Sequence, residues 1–149
     1  LMLILLIPHH LSLDNFSRAV FKYDDPKNIS CQAKGEDGLS GLKATLAENE
    51  RAYCFLRVTT GDDLSARAKF VFITWCGEKV SPLQKARVST DKSVVQEVVR
   101  VCSFCFNQYS HFQDFAVAVH ANTLNELDED DIVKAVIKVG GANYGSSTS

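Results

Sequence analysis

Three stretches of the chain have the length and apolar content of β-strands, namely 18–23, 53–58 and 70–76. Residues 70–76 are apolar at almost every position, which is typical of a strand whose two faces are both covered. Turn-forming residues follow the first and third stretches, Asp24-Asp25-Pro26 and Gly77-Glu78-Lys79 respectively. The pattern therefore predicts a sheet in which 70–76 is a central strand.

Apolar residues at helical spacing occur in two further segments. Leu39, Leu42 and Leu46 indicate a short helix within the weakly patterned stretch 28–50. A longer helix is predicted to begin at Thr90-Asp91-Lys92, because Thr90 can cap the first turn and Asp91 suits the positive end of the helix dipole. Its apolar stripe consists of Val94, Val95, Val98 and Val99.

A last amphipathic helix is predicted near the end of the chain. The acidic run 128–131 precedes apolar residues at helical spacing, and Gly140-Gly141 is a stop signal. The acidic run lacks the alternating ligand spacing and the turn glycine of a calcium loop, so we interpret it as a helix start. Strands in the first half with helices around them predict an α+β fold of three layers, a central mixed β-sheet flanked by helices on both faces.

The stretch between the second and third predicted strands is basic. We expect residues 59–69 to form an exposed connection between an antiparallel pair, with Arg67 and Lys69 two residues apart on extended chain and so facing one way. Residues 57–92 hold 7 Lys/Arg and 4 Asp/Glu, net +3, whereas the whole chain has net charge −2. This segment is a candidate surface for an acidic partner. The alternative is that solvated faces differ in charge by chance.

Composition excludes several classes of protein. A chain of 149 residues with 46% hydrophobic and 23% charged residues is expected to fold as one globular domain rather than to be disordered. Its charge balance does not imply nucleic-acid binding, and no basic motif is interleaved with aromatic residues. The apolar run 1–7 is far shorter than the roughly 20 residues that cross a bilayer, and it lacks the positive start of a secretory signal. We therefore expect neither a nucleic-acid nor a membrane partner.

No catalytic motif stands out. The sequence has no glycine-rich phosphate loop, no GxSxG and no HExxH. The 5 cysteines include one close pair, Cys102-x-x-Cys105, without two further ligands at the spacing of a zinc site. An odd number of cysteines, two of them in predicted buried strands, indicates a reducing compartment. These features favour a binding module with no cofactor and no metal over an enzyme.

Several segments, in order, resemble the coactosin-like proteins of the actin-depolymerising-factor homology superfamily. The similarity is densest between Arg57 and Val99 and extends to the ending Gly140-Gly141-Ala142-Asn143-Tyr144. The segments that carry it are Val20-Phe21-Lys22-Tyr23, Val58-Thr59-Thr60-Gly61-Asp62, Lys69-Phe70, Ile73-Thr74-Trp75, Gly77-Glu78, Leu83-Gln84, Thr90-Asp91-Lys92 and Glu97-Val98-Val99. The ordered set is specific although no single piece is decisive.

The resemblance implies a monomeric, cytoplasmic protein that binds the side of actin filaments in the cytoskeleton. The family's key lysine falls on Lys69, and Arg67 matches a neighbouring basic position. Lys92 falls where the wider superfamily carries basic actin contacts, at the start of the long helix. Lys138 matches a family lysine implicated in binding a lipoxygenase, and so marks a possible second site for a protein partner. The adjacent family lysine is Ile137 here, so we do not carry that partner over.

The resemblance also implies boundaries. We expect a single actin-depolymerising-factor homology domain over 18–144, followed by a flexible tail at 145–149. Residues 1–17 do not resemble the family's first helix, and we interpret the start of the chain as ill-defined rather than as a targeting signal. Residues 101–113 look inserted, and are expected to bulge from the long helix and expose apolar surface.

Two other functions stay open. The chain could be a protein-interaction adaptor in which actin binding is weak or lost, with Lys69 merely solvating a connection beside a hydrophobic strand. A thiol enzyme or metal protein would use Cys102 and Cys105.

Overall fold

The computed structural model describes residues 17–61, 64, 66–106 and 115–141 of the chain. The elements, in chain order, are β1 (Arg18–Tyr23), β2 (Ile29–Gly35), α1 (Gly38–Ala44), β3 (Arg51–Thr60), β4 (Arg67–Cys76), α2 (Pro82–Phe106), β5 (Val117–Ala121), a 3-10 turn (Leu124–Glu126) and α3 (Glu129–Gly141). All three predicted strands and all three predicted helices are present; the first strand has the predicted bounds 18–23, and the others differ in theirs.

The strands form one sheet in the order β2-β1-β3-β4-β5. The first four are joined by antiparallel pairings, and β5 lies parallel to β4. The sheet is therefore mixed, as predicted. Its centre is β3, whose residues 52–56 are all buried because both faces are covered.

Side chains alternate between two cores along each central strand. On one face, Cys54, Ile73 and Trp75 pack with Leu42 of α1 and Ile132 of α3. On the opposite face, an aromatic core formed by Phe21, Tyr53, Phe55 and Phe72 packs against Val88 and Val95 of α2. The three-layer architecture with helices on both faces is confirmed.

Two strands, β2 and β5, were not predicted from the sequence, and both lie at the edges of the sheet. In β2 only Ile29 is buried, and half of the other positions are polar: Ser30, Gln32 and Lys34. The strand β5 has only five residues, in which half-buried valines alternate with the exposed Ala118 and His120. Edge strands of this kind carry little apolar contrast, since one long side of each lacks a neighbouring strand.

The predicted start of the long helix was wrong. The helix begins at Pro82, where a fixed φ and a missing N–H suit the first helical position. The Ser81 hydroxyl accepts a hydrogen bond from the Gln84 amide at 3.4 Å, as an N-cap side chain does. Thr90, Asp91 and Lys92 therefore lie inside α2 rather than at its start.

The expected insertion at 101–113 is only partly within the described residues. The backbone of α2 continues as helix to Phe106, so no bulge leaves the helix before that residue. Residues 107–113 lie outside the described residues, as do all but the last residue of the divergent segment 1–17 and the whole tail 145–149.

Candidate functional site

The basic residues Arg67 and Lys69 lie at the turn end of the β3–β4 hairpin, next to the connection between its strands. Thr60 pairs with Arg67 and Val58 with Lys69, so residues 58–60 and 67–69 form a ladder that we call the hairpin end. The connection between the strands is therefore shorter than the predicted 59–69, and both basic residues belong to β4. The two strands continue to pair past their apolar residues because the hydrogen bonds between strands come from the main chain and do not depend on the side chains.

Lys69 extends the aliphatic face of the sheet. It lies on the same face of β4 as Val71 and Ile73, which belong to the core under α1 and α3, and its partner Val58 packs against the same core. The side chain is half-buried, and it forms no ion pair with any residue that the structure describes. The stem can lie on apolar surface while the ammonium group stays available to a partner.

Helix α3 lies beside the hairpin end. Glu129, Ile132 and Val133 line a cavity of about 140 Å³ together with residues 56–59 of β3. The ammonium of Lys43 in α1 donates a hydrogen bond of 3.1 Å to the carbonyl of Leu127. Leu127 lies just before α3, so this bond holds the segment that leads into α3 against α1, on the same face of the sheet. The hairpin end and the start of α3 thus form one continuous surface.

The outer side of α3 is both basic and apolar. Lys134 and Lys138 are exposed and one helical turn apart, and Ile137 and Val139 are 55% and 50% exposed. Lys138, the predicted second site, is therefore available to a protein partner.

Lys92 does not lie with the other two predicted site residues. It is half-buried in the interior of α2, which covers the aromatic face of the sheet. Lys69 is on the aliphatic face. The structure therefore brings Arg67 and Lys69 together at the hairpin end and places Lys92 on the other side of the sheet.

A hydrogen-bonded group under α2 was missed by sequence reasoning. The Tyr23 hydroxyl donates to an Asp91 carboxylate oxygen at 2.6 Å and lies 3.0 Å from the Tyr53 hydroxyl. The Tyr53 hydroxyl donates to the Val88 carbonyl at 2.9 Å. We call these four groups the polar seam. The sequence signal for it is Asp91 itself, a carboxylate on the stripe formed by Val88 and Val95, although the same residue also suits the first turn of a helix.

Burial sets the proton affinity of the two phenols in the polar seam. Desolvation is the main cause that raises the pKa of Tyr53 to about 12. Desolvation, followed by the hydrogen bond to Asp91, also raises the pKa of Tyr23 well above its usual range. Both phenols are neutral at physiological pH, so they act as hydrogen-bond groups rather than as charges.

The cysteines bear on the alternative of a thiol enzyme or metal protein. Cys31, Cys54 and Cys76 are free thiols, and Cys54 and Cys76 are buried in strands as expected. Burial raises the pKa of Cys54 to about 12, which makes it a poor nucleophile. Within the described ranges, no group of three or more metal-binding side chains occurs, and no helix is long and apolar enough to cross a membrane. The side chains of Cys102 and Cys105 lie outside the described residues.

Comparison with known proteins places this geometry in a family. The sequence matches the family described as cofilin/tropomyosin-type actin-binding protein over residues 10–137. Coactosin of Dictyostelium discoideum is 37% identical over 131 residues, which cover 87% of this chain and 81% of that protein.

Two solved structures agree with this assignment. The crystal structure of coactosin from Entamoeba histolytica superposes with a TM-score of 0.69 at 30% identity, covering 85% of this chain and 83% of that chain. The solution structure of mouse coactosin, described as an actin filament binding protein, superposes with a TM-score of 0.62 at 36% identity and covers 89% and 82%. The chain therefore belongs to the cofilin/tropomyosin-type family of actin-binding proteins and, within that family, to the coactosins.

Proposed function

We propose that this protein binds the side of actin filaments as a non-enzymatic regulator of the cytoskeleton. Lys69 carries the contact, and Arg67 supports it from the same strand. The observation that carries the proposal is the position of these two residues, two apart at the hairpin end, in a chain that belongs to the coactosins. The mouse relative is described as an actin filament binding protein, which supports the same activity here.

Electrostatics favours the hairpin end as the contact surface. A half-buried lysine without an ion pair among the described residues loses little side-chain entropy on binding and breaks no internal pair. Actin filaments are acidic, so a basic surface speeds encounter and weakens with added salt. Lys92 supports binding from the α2 side as a second contact.

Co-sedimentation with filamentous actin tests the proposal. We expect wild-type protein to pellet with filaments, to bind more weakly as salt increases, and to lose about tenfold or more in affinity on Lys69→Ala, the scale of one desolvated charged contact. Lys34→Ala is the matched control, since Lys34 is an exposed lysine on the edge strand β2, which β1 and β3 separate from β4. It removes the same charge and is expected to leave binding unchanged.

Two results would contradict this site. Equal weakening by Lys69→Ala and Lys34→Ala would mean that net charge, rather than the hairpin end, drives binding. Absence of wild-type protein from the pellet, with a folded circular-dichroism spectrum, would instead favour the adaptor function. In that case the exposed Lys134, Ile137, Lys138 and Val139 on α3 form the first surface to test against other proteins.

A further inference from the structure

The polar seam occupies the middle of the contact between α2 and the sheet. Three residues of the described part of α2 are buried, and they follow helical spacing: Val88, Asp91 and Val95. Asp91 is only 7% exposed, although it carries a carboxylate. A buried carboxylate is stable only while hydrogen-bonded, so the orientation of the helix depends on its partner.

Tyr23 is that partner, and Arg51, which packs on the Tyr23 ring, makes a second contact with α2. Its hydroxyl donates to Asp91, while the Arg51 guanidinium lies 3.7 Å from the centre of its ring. The same guanidinium donates to the Gln84 carbonyl at 3.4 Å, two helical turns before Asp91. Tyr23 of β1 and Arg51 of β3 therefore pack on each other and bond to two separate turns of the helix.

Lys92 directly follows Asp91 and is half-buried beside the same stripe. Consecutive side chains of a helix are about 100° apart around its axis, so fixing Asp91 inward also fixes the direction of Lys92. If the hydrogen bond from Tyr23 is lost, solvation of the freed carboxylate favours rotation of α2, and Lys92 moves with it.

We propose that Tyr23 is a positioning residue that, through Asp91, sets where Lys92 meets the actin filament. The inference rests on the proposed function and adds to it a residue without direct contact to the partner. Actin binding thus depends on two separate features: Lys69 is held by strand pairing, and Lys92 by the polar seam.

Double-mutant cycles in the co-sedimentation assay test this coupling. Tyr23→Phe keeps the ring under Arg51 and removes only the hydroxyl; we expect it to weaken filament binding about three- to tenfold, the scale of coupling within one network. In the Lys92→Ala background the same change is expected to have no further effect. In the Lys69→Ala background its effect is expected to be undiminished.

Conservative variants separate positioning from a general loss of stability. Asp91→Asn keeps an oxygen that accepts from Tyr23 and is expected to bind like wild type, whereas Asp91→Ala weakens binding as Tyr23→Phe does. Thr45→Val is the matched control: it removes one hydroxyl hydrogen bond, 2.7 Å to the Leu42 carbonyl, on the opposite face. We expect it to leave filament binding unchanged in either lysine background.

The outcomes distinguish the inference from the proposed function. If wild-type protein fails to pellet, both are overturned. If wild type and Lys69→Ala behave as expected but Tyr23→Phe binds like wild type, or Lys92→Ala has no effect, the positioning role alone is overturned. Additive effects of Tyr23→Phe and Lys92→Ala overturn it as well, because a residue that acts through Lys92 has nothing left to position once Lys92 is truncated.

Discussion

The two faces of the sheet are covered by different kinds of side chain. Under α1 and α3 the core is largely aliphatic, with Trp75 as its one aromatic side chain among the described buried residues. Under α2 the core is aromatic and contains the polar seam, where hydroxyls and a carboxylate replace apolar contacts. Aliphatic packing is tolerant of small rotations, whereas a hydrogen bond fixes distance and direction.

This difference suggests that the two helical layers have separate roles. The aliphatic face holds α1 and α3 by packing and supports the hairpin end that carries Lys69. The aromatic face gives α2 a single orientation and thereby directs Lys92. Variants that remove packing or hydrogen bonds on either face test this division.

Removing the indole of Trp75 is expected to be the most destabilising single change. The side chain is 1% exposed in the aliphatic core, and its Nε1 donates to the Ala47 carbonyl at 2.8 Å. Trp75→Ala is expected to lower the free energy of unfolding by about 3–5 kcal/mol, since it leaves a cavity and an unpaired carbonyl. Urea denaturation measures the loss; Trp75→Phe, which refills part of the volume, is expected to lose less. A loss below that of Tyr53→Phe would contradict the division.

Removing one hydroxyl from the polar seam is expected to have a moderate effect. Tyr53 is fully buried, and its hydroxyl meets both the Val88 carbonyl and the Tyr23 hydroxyl. Tyr53→Phe keeps the ring stacked on Phe72 and is expected to cost about 1–2 kcal/mol. Urea denaturation measures this cost, and hydrogen exchange is expected to show faster opening of α2 but not of α3. Equal acceleration in both helices would contradict a local role for the seam.

Sequence patterns predicted those strands and helices whose formation is determined by the residues within the element itself. The apolar content of 70–76 indicated a central strand, and the last helix followed from its acidic start and apolar spacing. The edge strands β2 and β5 carry too little apolar contrast to be recognised without their neighbours.

The candidate site was predictable only in part, for a related reason. Lys69 and Arg67 were selected by resemblance, but their place in β4 depends on how far the hairpin pairs. The local pattern around Asp91 indicates a helix start, whereas its partner, Tyr23, is 68 residues away along the chain. Local spacing holds no information about such a contact, which only the assembled sheet and helix create.

Thr74 offers a smaller change on the aromatic side of the sheet. It is 1% exposed, and its hydroxyl has no hydrogen-bond partner among the described residues. Thr74→Val exchanges this unpaired hydroxyl for a methyl group of similar size and is expected to raise the free energy of unfolding by about 1 kcal/mol. Urea denaturation measures the gain. A loss of stability instead would mean that the hydroxyl has a partner and that the polar seam extends to β4.

The smallest expected effect lies at the edge of the aliphatic face, where an ion pair links β1 to the start of α1. Arg18 is buried, and its Nε lies 2.5 Å from a carboxylate oxygen of Asp37. The hydrogen bond from Arg18 lowers the pKa of Asp37 below its usual value. Because Asp37 is well exposed, water screens the pair and its contribution is small.

The sign of this contribution sets its pH dependence. A carboxyl group whose pKa is lower in the folded state adds stability above its unfolded pKa of about 3.9 and loses it as pH falls through the folded value. Asp37→Asn is therefore expected to be slightly less stable than wild type at neutral pH, with the gap closing below about pH 4. Urea denaturation of both proteins across this range measures the gap. A gap that persists in acid would show that the Asp37 carboxylate acts through hydrogen-bond geometry rather than charge, as the polar seam does on the other face.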